Sequence, residues 1–170
     1  MTPLSRREFL VTAGAAVVLA PTLRAAAQIT VGYAAITWGG NDVQAIEDVS
    51  SLGYKGIQLR SSAVDKFGDK PAELKAILEK HALRMAVLSS GNIRLDPAFE
   101  SADLEKHSSN ARFVKALGGE HLQVIDEPPK GKALVPDDYK RMGRLLTELG
   151  KRTADAGIPL VYHNHMNSMS

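Results

Sequence analysis

The chain has 170 residues, 44% of them hydrophobic and 24% charged, which is the composition of a globular domain rather than of a disordered chain. It contains no cysteine, which excludes disulfides, thiolate zinc sites and a cysteine nucleophile. Residues 1–27 hold three arginines and one glutamate, so the rest of the chain has 18 basic and 18 acidic side chains. This neutral balance argues against nucleic acid as a partner, because a nucleic-acid-binding surface is basic.

Residues 1–27 have the pattern of an export signal. Arg6 and Arg7 precede a short apolar run over residues 11–20, and small residues around Ala27 suit a cleavage site. The run is too short to cross a bilayer core of about 30 Å, which takes about 20 apolar residues. Twin arginines before such a run are typical of the twin-arginine pathway. We therefore expect a periplasmic or secreted protein with no stable membrane anchor, the alternatives being an uncleaved anchor or a chance arginine pair.

The mature chain, residues 28–170, alternates strand and helix patterns. Segments rich in β-branched and apolar residues predict five strands, at 29–38, 56–60, 85–90, 121–126 and 159–165. Apolar residues at helical spacing predict four helices, at about 42–52, 71–82, 102–117 and 139–157. Strands that alternate with helices form a parallel sheet with helices packed against it, since the crossovers are right-handed.

Two architectures compete for this alternation, an open doubly wound sheet and part of a (β/α)8 barrel. No G-x-G-x-x-G loop follows the first strand, so nothing specific supports a dinucleotide-binding sheet. The strands share polar or aromatic C-terminal ends, namely Trp38, Gln58 with Arg60, Ser89 with Ser90, Asp126 with Glu127, and His163 with His165. A barrel collects these ends at one mouth, where its chemistry takes place. The pattern favours an α/β fold, a partial (β/α)8 TIM barrel of about five parallel strands and four helices.

Two stretches carry a family pattern. Residues 46–59 contain Leu-Gly-Tyr-Lys-Gly-Ile, and residues 146–165 end in Tyr-His-Asn-His. Together they resemble the sugar phosphate isomerase/epimerase family of xylose isomerase-like TIM barrels, and the Tyr-His-Asn-His strand end is also similar to inosose dehydratases of the same superfamily. The resemblance covers essentially the whole mature chain, which corresponds to the N-terminal part of such a barrel. One departure is Gln58, at a strand end where the family often has a glutamate.

The length of the chain is a second departure from the family pattern. A complete barrel has eight strands and about 250 residues, whereas the mature chain supplies five predicted strands. Such a half-barrel has two unpaired edges and an uncovered inner face, which invite association with other chains. Three interpretations remain: a fragment of a longer gene, a truncated product, or a half-barrel that closes as a homodimer. We favour a fragment or truncation.

The resemblance implies an isomerase or epimerase that acts on a small-molecule sugar or polyol with a divalent metal ion, Mn, Mg or Zn. Such an ion polarises carbonyl and hydroxyl oxygens, while protein groups move a proton between neighbouring carbons. By the same resemblance, most metal ligands come from strands five to eight. We therefore expect most of them beyond Ser170 and an incomplete metal site in this chain.

His163 and His165 are the candidate catalytic residues. They are two apart on a predicted strand, so their side chains lie on the same face near its end. One interpretation places them in the substrate pocket, where they bind sugar oxygens or support the metal. The other makes them buried histidines that bond to neighbouring strands. A His-x-His pair alone is a weak metal signal, and Asn164, on the opposite face, is expected to be structural.

Three further residues are candidates for substrate binding. Trp38, the only tryptophan, either stacks on a sugar ring or covers the first helix. Gln58 either bonds a substrate hydroxyl or holds a loop. Asp126 is either a pocket acid or the start of a turn. Two hypotheses follow for the whole chain: the N-terminal part of an exported, metal-dependent sugar isomerase or epimerase, or a non-catalytic half-barrel that binds a sugar or associates with itself.

Overall fold

The computed structural model describes residues 30–129, 131 and 133–165, so the predicted export signal lies outside the described residues. Within them, five strands form one parallel sheet in the order β1-β2-β3-β4-β5. Their bounds are β1 (Gly32–Ala34), β2 (Gly56–Arg60), β3 (Arg84–Arg94), β4 (His121–Glu127) and β5 (Leu160–His163). Sequential order with parallel pairing is the arrangement of consecutive βα units in a barrel wall. The predicted fold class, a partial TIM barrel, is confirmed.

Five α-helices cover one face of this sheet in the described part of the chain. They are α1 (Asp42–Ser51), α2 (Ser62–Phe67), α3 (Pro71–Lys80), α4 (Glu100–Ala116) and α5 (Pro136–Asp155). The predicted number, four, was wrong by one because α2 has only six residues, too few to show a helical period. None of the described helices is both long enough and apolar enough to cross a membrane.

Four of the five predicted strands have different bounds in the structure: β4 ends one residue later than predicted, β5 ends two residues earlier, and the ends of β1 and β3 differ most. The first was predicted to reach Trp38, but β1 ends at Ala34 and the chain continues as a 3₁₀ turn over Ala35–Trp38. The third was predicted to end at Ser90, but β3 continues to Arg94 through an irregularity in its pairing with β4. Gly91 makes this possible because it adopts a φ of +94°, which side chains with a Cβ rarely adopt.

The core lies between the sheet and the helices. One cluster joins the helix-facing residues of β2 and β3 to α1 and α3, and includes Ile57, Leu59 and Leu88. A second cluster joins the end of β3 to α5 and includes Ile93 and Leu149. Because alternate residues of a strand point to opposite faces, burying these side chains against the helices directs their neighbours to the inner face of the sheet.

Two glycine substitutions test this packing. A Cβ on Gly119 would lie 2.7 Å from the Met85 methyl group and 2.8 Å from a Val114 methyl group, whereas a Cβ on Gly143 would meet nothing within 4 Å. We expect Gly119→Ala to destabilise the fold by about 1 kcal/mol through overpacking. Gly143→Ala, inside α5, is expected to stabilise it by about 0.5–1 kcal/mol because alanine favours the helix. Urea denaturation of the two variants would show opposite shifts of the midpoint, and shifts of the same sign would contradict the packing.

Candidate functional site

Polar side chains line the inner face of the sheet near the C-terminal ends of its strands. Ile57 and Leu59 of β2 are buried against the helices, so Gln58 and Arg60 point to the inner face. The register of the sheet places Arg60 beside Ser89, and Ser89 beside Gln123. Three neighbouring strands thus contribute one layer of polar side chains at the mouth of the partial barrel.

β5 adds the two candidate histidines to the same mouth. His163 pairs in register with Ile125 of β4, and His165 follows just after the strand. The two imidazole rings meet edge to face, with 4.9 Å between their centroids. The predicted same-face placement of this pair is therefore what the structure shows, and both side chains are exposed to the pocket opening.

These residues surround an open pocket of about 400 Å³. Its polar lining consists of Gln58, Arg60, Ser89, Gln123, His163 and His165. The apolar part of the lining comes from β1, its 3₁₀ turn and Ile125. A pocket of this size with a few convergent polar groups is suited to a small molecule.

The electrostatic character of the pocket is set by what lines it. Gln58 Nε2 donates a hydrogen bond of 3.1 Å to Gln123 Oε1, which leaves the amide NH2 of Gln123 as a donor. No aspartate or glutamate belongs to the lining among the described residues. The described lining therefore offers neutral hydrogen-bonding groups, one guanidinium and two imidazoles.

The structure does not bring Trp38 into this pocket. Its indole Nε1 donates a hydrogen bond of 2.7 Å to Asp48 Oδ2 on α1, and its ring meets Tyr33 edge to face. This hydrogen bond lowers the pKa of Asp48 below its ordinary value, because it stabilises the charged carboxylate. Trp38 thus covers the first helix, which was the structural alternative for this residue.

Asp126 is also outside the pocket. It lies on the helix-facing side of β4 with Leu122 and Val124, and it is buried. The hydroxyl of Tyr162, on β5, donates a hydrogen bond of 2.7 Å to Asp126 Oδ1. Asp126 therefore ties β4 to β5 behind the pocket, while Gln123 and Ile125 occupy the inner positions of the same strand.

A buried polar network holds the irregular part of β3 next to the pocket. His107 of α4 contacts the hydroxyl of Ser90 through Nδ1 at 2.6 Å and the carbonyl oxygen of Asn92 through Nε2 at 3.0 Å. Asn110 donates a further hydrogen bond of 2.8 Å to Ser90. Burial lowers the pKa of His107, so the neutral ring is the favoured form. The network spans both ends of the Gly91 irregularity, directly after Ser89 of the pocket.

The described residues do not fit a complete metal site. No cluster of three or more histidine, aspartate or glutamate side chains arranged to hold a metal ion occurs among them. His163 and His165 are the only groups of these types lining the described pocket, and hard cations such as Mg²⁺ and Mn²⁺ prefer oxygen ligands. A divalent ion at this mouth would need carboxylate ligands from outside the described residues.

A parallel wall of consecutive βα units, with polar side chains at the C-terminal ends of its strands, is the arrangement found in TIM-barrel proteins. Residues 46–170 match the xylose isomerase-like TIM barrel family, and the chain belongs to this family.

Curated relatives show the same family relationship. The chain is 24% identical over 164 residues to an inosose dehydratase of Lacticaseibacillus casei, with 82% of this chain and 53% of the relative covered. It is 27% identical over 157 residues to the rhizopine catabolism protein MocC of Rhizobium meliloti, with 79% of this chain and 46% of the relative covered. The chain thus spans about half the length of the curated relatives it matches.

Solved structures support the fold. A sugar phosphate isomerase/epimerase from Parabacteroides distasonis superimposes with a TM-score of 0.59 at 16% identity, covering 83% of this chain and 54% of that one. The IOLI protein with a bound zinc atom superimposes with a TM-score of 0.66 at 15% identity, covering 80% of this chain and 51% of that one. A D-psicose 3-epimerase in the presence of D-fructose superimposes with a TM-score of 0.65 at 15% identity, covering 78% of this chain and 51% of that one.

Arg60, Ser89 and Gln123 belong to the pocket although they were not among the predicted site residues. Arg60 and Ser89 were recognised as polar strand ends, and the alternation of β4 would have identified Gln123. Leu122 and Val124 are the apolar helix-facing residues of that strand, so Gln123 faces inward and Asp126 does not.

Proposed function

We propose that the pocket on the inner face of the sheet binds a sugar or polyol, and that the whole protein is a sugar isomerase/epimerase-like enzyme that transfers a proton next to a carbonyl. The observation that carries this proposal is the set of hydrogen-bonding groups around an open pocket of about 400 Å³. Gln58 and Gln123 would bind hydroxyl groups, and His163 and His165 would bind the oxygens near the reacting carbons. The names of the relatives, inosose dehydratase and epimerase, support a polyol or ketose as the substrate class.

A divalent Mn, Mg or Zn ion is part of this proposal for the whole protein. The zinc atom in the similar IOLI structure supports it. Because the described residues do not complete a metal site, this chain by itself would be the N-terminal part of the catalytic barrel, with His163 and His165 at the edge of the site.

Hydrogen exchange tests the proposed activity. The full chain, with and without Mn²⁺, would be incubated in deuterated water with an inosose and with D-fructose, and loss of the proton next to the carbonyl would be followed by NMR. Exchange that is abolished in His163→Gln but retained in His81→Gln would support an enzyme. Binding without exchange would leave the non-catalytic half-barrel as the function of this chain by itself, and neither binding nor exchange would contradict the proposal.

A second candidate is self-association of the half-barrel as a homodimer. The observation in its favour is the exposure of apolar side chains at the free edge of β1 and on the inner face: Val31, Tyr33, Ile36 and Val161. Exposed edges and apolar patches are surfaces on which chains associate. Light scattering during size-exclusion chromatography would show a discrete dimer if this holds. A monomer that is folded by circular dichroism would exclude it.

We also propose that residues 1–27 direct export through the twin-arginine pathway to the periplasm or beyond. The double variant Arg6→Lys, Arg7→Lys keeps the charge but changes the arginine pair on which the signal depends. Expressed in a bacterium that has the pathway, the unaltered chain is expected in the periplasmic fraction in a shortened form. The variant should remain in the cytoplasm at full length. Equal distribution of the two proteins would contradict an export role.

A further inference from the structure

The irregularity of β3 is one extra residue in the stretch beside the pocket. Ser89 of β3 lies in register with Gln123 of β4. The next registered pair is Asn92 with Ile125, so β3 advances three residues where β4 advances two. Such a β-bulge shifts the alternation of all later side chains by one position. Without it, alternation from Ser89 would place Ile93 on the inner face and Asn92 against the helices.

The structure shows the reverse placement of these two side chains. Ile93 is fully buried in the cluster between the sheet and the helices. Asn92 is exposed, and its Nδ2 donates a hydrogen bond of 2.8 Å to Oε2 of Glu127, two residues after the inward-facing Ile125. Ile125 is also in register with His163 of the pocket. The bulge therefore determines whether an amide or an isoleucine side chain stands beside the pocket.

One imidazole bridges the bulge. His107 of α4 is fully buried and contacts the residues on both sides of Gly91, namely Ser90 and Asn92. Because a carbonyl oxygen only accepts, Nε2 of the neutral ring donates to the Asn92 carbonyl, and Nδ1 accepts from the Ser90 hydroxyl. Asn110 donates to that hydroxyl in turn. A directed chain of hydrogen bonds thus runs from α4 through Ser90 and the ring to the Asn92 carbonyl.

The local backbone does not fix the bulge by itself. Gly91 has a φ of +94°, a conformation that glycine permits but does not enforce. A bulge also interrupts the hydrogen bonds between neighbouring strands. The two contacts of His107 therefore supply a connection where regular strand pairing is broken.

We propose that His107 is a positioning residue for the pocket: by joining Ser90 to Asn92 across Gly91, it fixes the extra residue of β3 and keeps Asn92, rather than Ile93, on the inner face. The ring is fully buried behind the sheet, so it acts through β3 and not on a ligand. Its effect on polyol binding rests on the proposed function. Its effect on which side chains of β3 face inward does not.

The absence of cysteine from the chain permits a direct test. In the full chain, Asn92→Cys and Ile93→Cys would each introduce a single thiol, and its rate of reaction with a water-soluble maleimide reports its exposure. Asn92 is exposed and Ile93 is fully buried. We therefore expect the thiol at position 92 to react about 100-fold faster than the thiol at position 93, which reacts only when the sheet opens locally.

Two changes that release the bulge should reduce this ratio of labelling rates. One is His107→Ala. The other is Gly91→Ala, which strains the backbone at positive φ although the nearest atom to the new Cβ is 3.6 Å away. In both we expect the ratio to fall to about onefold or below, as position 93 turns to the inner face. His107→Gln should retain most of the ratio, because its amide can donate to the Asn92 carbonyl.

Leu74→Ala and Gly118→Ala are the matched controls. Leu74 is fully buried on α3, in the cluster that does not contain Ile93, so its truncation destabilises the fold through a cavity elsewhere. Gly118 has a φ of +70° and open space around a Cβ. Both controls should keep the labelling ratio. Far-ultraviolet circular dichroism would show which variants are folded, and Gly91→Ala with its control carries the test if His107→Ala is not.

Isothermal titration calorimetry with D-fructose measures the consequence for the pocket in chains without the added cysteines. We expect the dissociation constant to rise about tenfold in Gly91→Ala, because an isoleucine side chain replaces a hydrogen-bonding amide beside the pocket. It should stay within about twofold in Gly118→Ala, whose strained residue lies beyond the end of α4.

The outcomes separate this inference from the proposed function. A labelling ratio that His107→Ala and Gly91→Ala leave unchanged would overturn the inference, and so would a ratio that falls equally in the two controls. A ratio lost as expected, with an unchanged affinity for D-fructose, would overturn the positioning role at the pocket. A ratio lost as expected, with neither D-fructose nor an inosose bound by the unaltered chain, would overturn the polyol function and leave the role of His107 in β3 supported.

Discussion

Replacing His107 with alanine is expected to lower the free energy of unfolding by about 3 kcal/mol, since it combines a cavity with the loss of buried hydrogen bonds. The imidazole is fully buried between α4 and β3. Its removal leaves the carbonyl oxygen of Asn92 and the hydroxyl of Ser90 without this partner. Urea denaturation would measure the loss. His81→Ala is the matched control, because His81 is only half-buried and its ring has one hydrogen bond, to Ser50, so a loss below about 1 kcal/mol is expected there.

The same histidine should make stability depend on pH. Burial lowers the pKa of His107 in the folded state below its ordinary value of 6.5, so the unfolded chain binds the proton more readily. The stability that the neutral His107 ring contributes is therefore fully present above pH 6.5. It is lost as the pH falls below that value and through the folded-state pKa. Denaturation at about pH 8 and about pH 5.5 should show a weaker pH dependence in His107→Gln than in the unaltered chain. Equal dependence in both would contradict this role.

Asp103→Ala is expected to cost about 2 kcal/mol at neutral pH, less than a fully buried ion pair because the Arg94 side chain is partly exposed. Asp103, in the first turn of α4, is buried and accepts hydrogen bonds from the Arg94 backbone N–H at 2.8 Å and from Arg94 Nε at 3.1 Å. Burial alone would raise the pKa of Asp103, but the contacts with Arg94 outweigh it and the pKa is lowered.

The pH dependence of this pair has a defined sign. Because the pKa of Asp103 is lowered in the folded state, its contribution is present above the ordinary value of 3.8 and is lost as pH falls below it. The cost of Asp103→Ala should therefore shrink in acid. Glu105→Ala is the control, since Glu105 and Arg112 form an exposed pair that should contribute less than about 0.5 kcal/mol. If Glu105→Ala lowered the free energy of unfolding as much as Asp103→Ala does, the burial of an ion pair would not be what determines its contribution to stability.

The sequence predicted the strand and helix order well because each unit carries a clear hydrophobic pattern. β2 was placed at its observed bounds, since Ile57 and Leu59 alternate with polar residues and Gly56 begins the segment. The extension of β3 beyond Ser90 could not be predicted, because it depends on Gly91 taking a positive φ within a segment held by the pairing with β4 and by the hydrogen bonds of His107. The hydrophobic pattern along the sequence therefore predicts the individual strands and helices, whereas an irregularity in strand pairing arises only when the sheet is assembled.

The site was predicted in part for a related reason. His163 and Gln58 were chosen as polar residues at strand ends, and the structure places both in the lining of the pocket. Asp126 was chosen for its position at a strand end, although its alternation with Leu122 and Val124 places it on the helix side. Arg60 also stands at the end of β2 and faces the same way as Gln58, so the same alternation would have placed it at the pocket.

Binding at the histidine pair is the claim on which the account depends, and NMR of the full chain with ¹⁵N-labelled histidine measures it most directly. Titration with D-fructose and with an inosose should shift the imidazole signals of His163 and His165. Those of His81 and His107, which lie outside the pocket, should stay in place. No shift of the His163 and His165 signals at saturating ligand, or shifts confined to His81 and His107, would contradict a polyol site on the inner face of the sheet.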